Sequence, residues 1–190
     1  MSRDATYNDL SRADAIHDDC AEFVLDEEAF LAFYNRTARG LWMYLARVAG
    51  DRQLADDLLQ ETFYRFLRAA ATYESESHRR NSLYRIATNL VRDVRRKRLR
   101  RPAAEAGGDE IERVAGGGPG ATERFADLTS AMSRLKPRER AMLWLAYAEG
   151  ASHREIAEIL GVRPASLKIL LFRARHKLAS LMGRGTRERL

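Results

Sequence analysis

One cysteine, Cys20, stands in the whole chain, so no internal disulfide can form, which suits a reducing compartment. Only four prolines occur in 190 residues, so long helical stretches go uninterrupted. No run approaches the roughly 18 apolar residues of a membrane span. The opening MSRDATYNDLSRADAIHDD is polar and acidic, with no apolar stretch of the kind a signal peptide needs. A soluble, cytoplasmic protein is expected. Phosphate-binding glycine loops, the G-x-S-x-G elbow and the H-E-x-x-H zinc motif are all missing. His17 and Cys20 have the side chains of metal ligands, but no second pair completes a tetrahedral site. The neighbouring carboxylates Glu27–Glu28 and Asp56–Asp57 diverge around a helix axis and cannot converge on a substrate. The sequence therefore predicts no metal, no cofactor and no catalysis of its own.

What is present is charge and helical periodicity. The formal net charge is +6, with 45% of residues hydrophobic, enough for packed cores. A basic balance favours polyanionic partners or merely solubility, so the location of the charge decides. Residues 1–25 show little periodicity and read as a flexible extension. From Glu27, Phe30, Phe33, Tyr34, Leu41, Tyr44, Leu45 and Val48 recur at helical spacing. Gly50 closes that helix and Asp51 is placed to cap the next. There Leu54, Leu58, Leu59, Thr62, Phe63, Phe66 and Leu67 form the apolar side, and Asp56, Asp57, Gln60, Glu61, Tyr64 and Arg65 the outer side. A polar loop is expected over Tyr73–Asn81, then a helix from about Ser82 to Arg101. Leu83, Ile86, Ala87, Leu90 and Val94 make its core face; Arg85, Thr88, Arg92, Arg95 and Arg96 lie opposite.

Residues 102–124 hold six of the twelve glycines and an acidic excess, the composition of a flexible linker. Beyond it, residues 125–183 again read as helical, with 184–190 a tail. The fold class expected is all-α, two small helical domains (26–101 and 125–183). In the second, Ser152 and Glu155 make a capping box, Gly161 turns the chain, and Pro164 starts the last helix.

SHREIAEILGVRPASLKILLFRARHKL, residues 152–178, meets the demands of a helix-turn-helix. Ala157 sits at the helix crossing, Gly161 and Val162 in the turn, and Leu167 anchors the second helix. Leu167, Leu171, Ala174 and Leu178 face inward; Lys168, Ile169, Phe172, Arg173 and His176 project outward. The alternative is a plain helical hairpin with a solvated basic face. Seven basic residues between Arg92 and Arg101 suit several phosphates, or a solvated helix end. The loop carrying Arg79 and Asn81 suits unstacked bases, or is simply surface.

DRQLADDLLQETFYRFLR, residues 51–68, resembles the polymerase-binding segment of bacterial sigma factors. SLYRIATNLVRDVRRKRLRR, residues 82–101, resembles their promoter-melting and −10-reading helix. SRLKPRERAMLWLAYAEGASHREIAEILGVRPASLKILLFRARHKL resembles their −35-reading domain. With only a linker between, the similarity is to the minimal extracytoplasmic-function class. That resemblance implies a promoter-specificity subunit. Asp57, Gln60 and Glu61 would contact the clamp coiled coil of the largest polymerase subunit, and the second domain the flap of the second subunit. Ser77, His78, Arg79, Arg80, Asn81, Arg85, Asn89, Arg92, Arg95 and Arg96 would hold and read the opened −10 strand. Ser166, Lys168, Ile169, Phe172 and Arg173 would face the −35 major groove, with Arg154 and Arg163 near phosphates. It also implies an anti-sigma partner, which in this class can hold the protein at the membrane. Two departures stand out. Ser82 replaces a usual Trp, with Tyr84 nearby as a substitute aromatic. Ile169-Leu170 replaces a small polar residue followed by Arg. Exposed Ile169 and Phe172 suit thymine methyls or an apolar protein contact. A free-standing duplex-binding regulator and a protein-interaction module are the other two readings; the first has no use for residues 51–68, and the basic faces at both ends of the linker argue against the second.

Overall fold

The computed structural model describes residues 27–69, 71–100 and 123–187. Residues 1–26 and 102–122 lie outside them, and with these His17 and Cys20. Among the described residues the fold is all-α: α1 Glu27–Ala49, α2 Arg52–Arg68, α3 Glu76–Arg100, α4 Glu123–Ser133, α5 Pro137–Tyr147, α6 His153–Leu160 and α7 Pro164–Arg187. No helix there is long and apolar enough to cross a membrane.

Local chemistry sets the boundaries. Gly50 has φ +81°, and the Asp51 carboxylate accepts the Leu54 N–H at 2.9 Å to begin α2. Pro137 opens α5, where its missing N–H costs nothing. Ser152 and Glu155 form the expected box, Glu155 Oε2 accepting from the Ser152 N–H at 2.7 Å. Gly161, at φ +60°, turns the chain into α7; a side chain there would cost about 1–2 kcal/mol.

Three boundaries depart from expectation: α4 begins at Glu123, inside the expected linker, α7 runs on to Arg187, into the expected tail, and the third is the start of α3. α3 starts at Glu76, not Ser82, so Ser77–Asn81 are helical and the loop is shorter. Ser75 provides the start: its hydroxyl accepts the His78 N–H at 3.1 Å and its carbonyl the Arg79 N–H at 3.0 Å. A run of polar side chains hid this first turn, because amphipathic periodicity begins only at Leu83.

α1, α2 and α3 enclose one core around Phe33, Leu41, Tyr44, Leu45, Phe66 and Leu83, all nearly inaccessible. Phe33 stacks on Phe66 at 5.3 Å, and Tyr44 meets Tyr84 edge-on at 5.2 Å. The Tyr44 hydroxyl pairs with Thr88 Oγ1 at 2.7 Å, and burial pushes its pKa up to about 12. Thr88 is thus internal, a correction to its place on the basic face. Leu67 departs the other way and is 46% exposed. The second half packs α5, α6 and α7 around Leu145, Ile156, Leu160 and Leu167.

The two halves do not stand apart. α6 lies on α3 and α5 on α1, and buried side chains run through both in one connected cluster. Gly40 lies at the seam: a Cβ there would come within 3.4 Å of Glu149 Oε1 of the second half and 3.3 Å of the Tyr84 hydroxyl of its own half. Two substitutions separate these levels of packing. Phe33→Ala should cost about 3–5 kcal/mol in urea unfolding, the usual loss for an emptied aromatic site. Gly40→Leu should leave helix content unchanged by circular dichroism while enlarging the particle in small-angle scattering, as the halves are wedged apart.

Candidate nucleic-acid interface

Three surfaces hold the side chains singled out from the sequence. On α2, Asp57 and Gln60 are exposed and Glu61 is half-buried. Glu61 is paired with Arg65 one turn on, at 2.6 Å. Asp56, on the same side, accepts the Trp42 indole N–H at 2.6 Å. The strip is acidic and polar, beside a largely basic α3. Exposed Tyr64 and Leu67 extend it with apolar area.

On α7 the expected division holds. Leu167, Leu171 and Ala174 are buried, while Ser166, Lys168, Ile169, Phe172, Arg173 and His176 are exposed. Ile169 is 55% and Phe172 52% accessible, large values for apolar side chains on a helix without a partner. The Phe172 ring meets His176 edge-on at 4.1 Å. Arg154 at the start of α6 and Arg163 in the turn are exposed beside this face. The second half is braced where Lys177 Nζ meets Glu139 Oε2 at 2.7 Å.

α3 is the unexpected surface. Ser77, Arg85, Asn89, Arg92, Arg95 and Arg96 are exposed. Asn81, by contrast, is only 6% accessible, because α6 covers it. Its Nδ2 donates to Glu155 Oε1 at 3.3 Å. One helical stretch further on, Arg92 Nη2 donates to the Leu160 carbonyl at 2.9 Å. That carbonyl belongs to the last turn of α6, where an unpaired acceptor and the helix dipole both favour a cation. α3 therefore grips α6 at both ends, Asn81 at its start and Arg92 at its finish. Asn89 Oδ1 steadies Arg92 Nη1 at 3.3 Å.

The rest of the first turns of α3 are half-buried. His78 meets the Tyr73 ring edge-on at 5.7 Å, and the Arg79 guanidinium lies 5.7 Å from the Phe33 ring centre. His78 Nδ1 and Arg79 Nε have no hydrogen-bond partner among the described residues. Arg80 lies near Glu155. Ser82 is buried, and Tyr84, the nearby aromatic, is 3% exposed. Burial first, then the Glu149 carboxylate, push the Tyr84 hydroxyl far above its ordinary pKa. Sequence periodicity missed this cover because the side-chain hydrogen bonds from Asn81 and Arg92 to α6 are polar and leave no apolar signature.

Electrostatics add one more asymmetry. Burial and then Arg95 hold the Arg140 guanidinium below its ordinary pKa, so cations crowd the seam between the halves. No cluster of metal-ligating side chains exists among the described residues.

Residues 33–101 match the Sigma-70 region 2 family, and residues 125–178 match Sigma-70, region 4. The chain is 30% identical over 159 residues to the RNA polymerase sigma factor CarQ of Myxococcus xanthus, covering 83% of this chain and 91% of CarQ. It is 32% identical over 148 residues to the ECF RNA polymerase sigma factor SigE of Mycolicibacterium smegmatis. That match covers 75% of this chain and 57% of SigE, so the chain spans little more than half of that relative's length. Among solved structures, the sigma factor RpoE of Bartonella quintana, crystallised with the anti-sigma factor NepR, superposes with a TM-score of 0.71 at 24% identity. The alignment covers 82% of this chain and 98% of RpoE, a likeness of fold.

Glu155 links the α6 cap to α3, and its protonation should report on both. Bonds from the Ser152 side chain and backbone, then Asn81 and Arg80, hold its carboxyl below the ordinary 4.5, against a smaller effect of burial. A lowered folded pKa stabilises the fold above the unfolded value and loses that contribution as pH falls through the folded one. Urea unfolding from neutral pH to about pH 3 should therefore show a stability loss below about pH 4.5 that is reduced in Glu155→Gln.

Proposed function

The chain belongs to the extracytoplasmic-function sigma factors of bacterial RNA polymerase, and from that premise we propose how its surfaces divide the work of starting transcription. The observation that carries the reading is the combination of an exposed acidic strip on α2 with basic faces on both α3 and α7. A free-standing duplex-binding protein needs only the last. Asp57, Gln60 and Glu61 dock on the clamp coiled coil of the largest polymerase subunit, with Tyr64 and Leu67 adding apolar contact. The α4–α7 half meets the flap of the second subunit. All bond-making chemistry belongs to the polymerase.

Promoter reading is split between the halves. Lys168, Ile169, Phe172 and Arg173 enter the −35 major groove, with Ser166 alongside and Arg154 and Arg163 on phosphates. Ile169 and Phe172 favour thymine methyls over hydrogen-bonding edges. The opened −10 strand runs along α3, past Ser77, His78, Arg79, Arg80 and Asn81, with Arg85, Asn89, Arg92, Arg95 and Arg96 on its backbone and bases.

A consequence follows from burial. Asn81 cannot meet a base while Glu155 and α6 cover it, so α6 must leave α3 before melting. Opening also exposes Tyr84 beside Asn81, where the family's usual Trp would otherwise act. Docking the two halves on separate polymerase subunits supplies the free energy to part them. An anti-sigma partner that binds the compact arrangement would hold the protein in the cytoplasm or at a membrane until released. Support for such a partner comes from RpoE, crystallised with NepR.

Run-off transcription with core polymerase on a pool of genomic promoter fragments tests the whole reading. New starts sharing two spaced elements are expected; tight duplex binding without any starts would leave only a free-standing regulator. The charge reversal Asp57→Lys with Glu61→Lys should weaken polymerase association about tenfold or more, as loss of complementary interface charge does. Both sites are accessible enough for the helices to stay folded. Arg154→Ala with Arg163→Ala should lower the salt dependence of −35 duplex binding by about one unit of slope per lost phosphate contact. An unchanged slope would assign those side chains to base edges alone.

A further inference from the structure

Between α1 and the α4, α5 and α7 helices lies an apolar groove of about 1160 Å³. Trp42, Leu128, Met132 and Trp144 line its floor; Arg39, Arg47, Arg52 and Arg175 stand around it. Both indole N–H groups are already taken. Trp42 donates to Asp56 at 2.6 Å and Trp144 to Glu149 at 3.1 Å. What the two rings offer is apolar area on a pinned, rigid floor. No carboxylate lines the groove among the described residues. An occupant must therefore be apolar on one side and acidic on the other.

The chain carries such a segment. Residues 1–26 hold seven carboxylates against two arginines, with Leu10, Ile16, Phe23, Val24 and Leu25 among them. The linker at 102–122 is also acidic, but its large aliphatic side chains are only Ile111 and Val114, too few to fill the floor. Reach is sufficient. From Glu27 to Trp42 α1 rises about 22 Å, which about seven extended residues or fifteen helical ones cover. Exposed Leu31 lies about 20° around α1 from Trp42, so an apolar path leads from the start of α1 to the groove. We propose that the acidic segment of residues 10–25 folds back along α1 and fills this groove, its apolar side chains on Trp42 and Trp144 and its carboxylates on the arginine rim. Because the groove is built from both halves, filling it fastens them in the compact arrangement. The inference rests on that arrangement and not on the promoter-reading roles.

The protein contains its own reporters. Trp42 and Trp144 are its two tryptophans and Cys20 its one cysteine. The full chain, labelled at Cys20 with an acceptor for tryptophan emission, should show strong energy transfer that Arg39→Glu with Arg52→Glu abolishes. In the unlabelled full chain, Ile16→Asp with Phe23→Asp should raise acrylamide quenching of tryptophan, while Ile111→Asp with Val114→Asp should not. Weak transfer in the unaltered protein, or quenching that rises only with the linker pair, would overturn the proposal. So would transfer that falls on dilution with unlabelled chain, which would place the segment in a second copy. Circular dichroism on each variant checks that the helices persist. None of these readouts requires polymerase or DNA, so they stand apart from the transcription assay.

Discussion

α3 carries the densest positive charge of the chain and is nevertheless packed on two sides. One side meets α1 and α2 through aromatic and aliphatic contacts; the other meets α6. The second contact depends on two polar bonds, Asn81 to Glu155 and Arg92 to the Leu160 carbonyl. Both use groups that α6 must satisfy anyway. Glu155 is the carboxylate that caps the start of the helix, and the Leu160 carbonyl is one of the acceptors left over at its end. α3 therefore completes the hydrogen bonding of a short helix, one of only eight residues, too short to be stable by itself in water. The geometry of the seam follows from that dependence.

The same bonds explain why the seam can open. Charge-assisted hydrogen bonds at a partly exposed site contribute modestly, on the order of 1–3 kcal/mol each, and water can replace them at similar strength. Beneath them, buried apolar side chains of both halves run on in one cluster, and α5 packs on α1. A seam of this composition shields Asn81 through polar contacts that another polar partner or water could replace, as the proposed opening requires. A wholly hydrophobic seam of the same extent would hold the halves together against such partners.

Much of this architecture was legible in the sequence. Helix periodicity placed α1 and α2 closely, and the motifs at Asp51, Ser152, Gly161 and Pro164 fixed ends that the structure keeps. The outward face of α7 was readable because its inner row, Leu167, Leu171 and Ala174, is purely apolar, leaving no other side for Lys168 and Arg173. The start of α3 was not readable, since Ser75 through Asn81 are polar whether helical or not, and only the Ser75 cap distinguishes the cases. Thr88 was misplaced for a related reason: a hydroxyl counts as polar until its partner, the buried Tyr44 hydroxyl, is known.

The packing of one half on the other was the least legible feature, and its chemistry explains why. Periodicity registers which side of a helix is apolar, but α3 is basic on the side that α6 covers. A basic face normally means solvent or phosphate. Here part of it is held by a carboxylate and a helix C-terminus, which present to Asn81 and Arg92 what a nucleic-acid backbone would: an oxygen carrying full or partial negative charge. The residues proposed to grip a strand are for that reason suited to grip α6 as well. The capping carboxylate and the helix end thus satisfy Asn81 and Arg92 internally, while Arg85, Arg95 and Arg96 stay exposed.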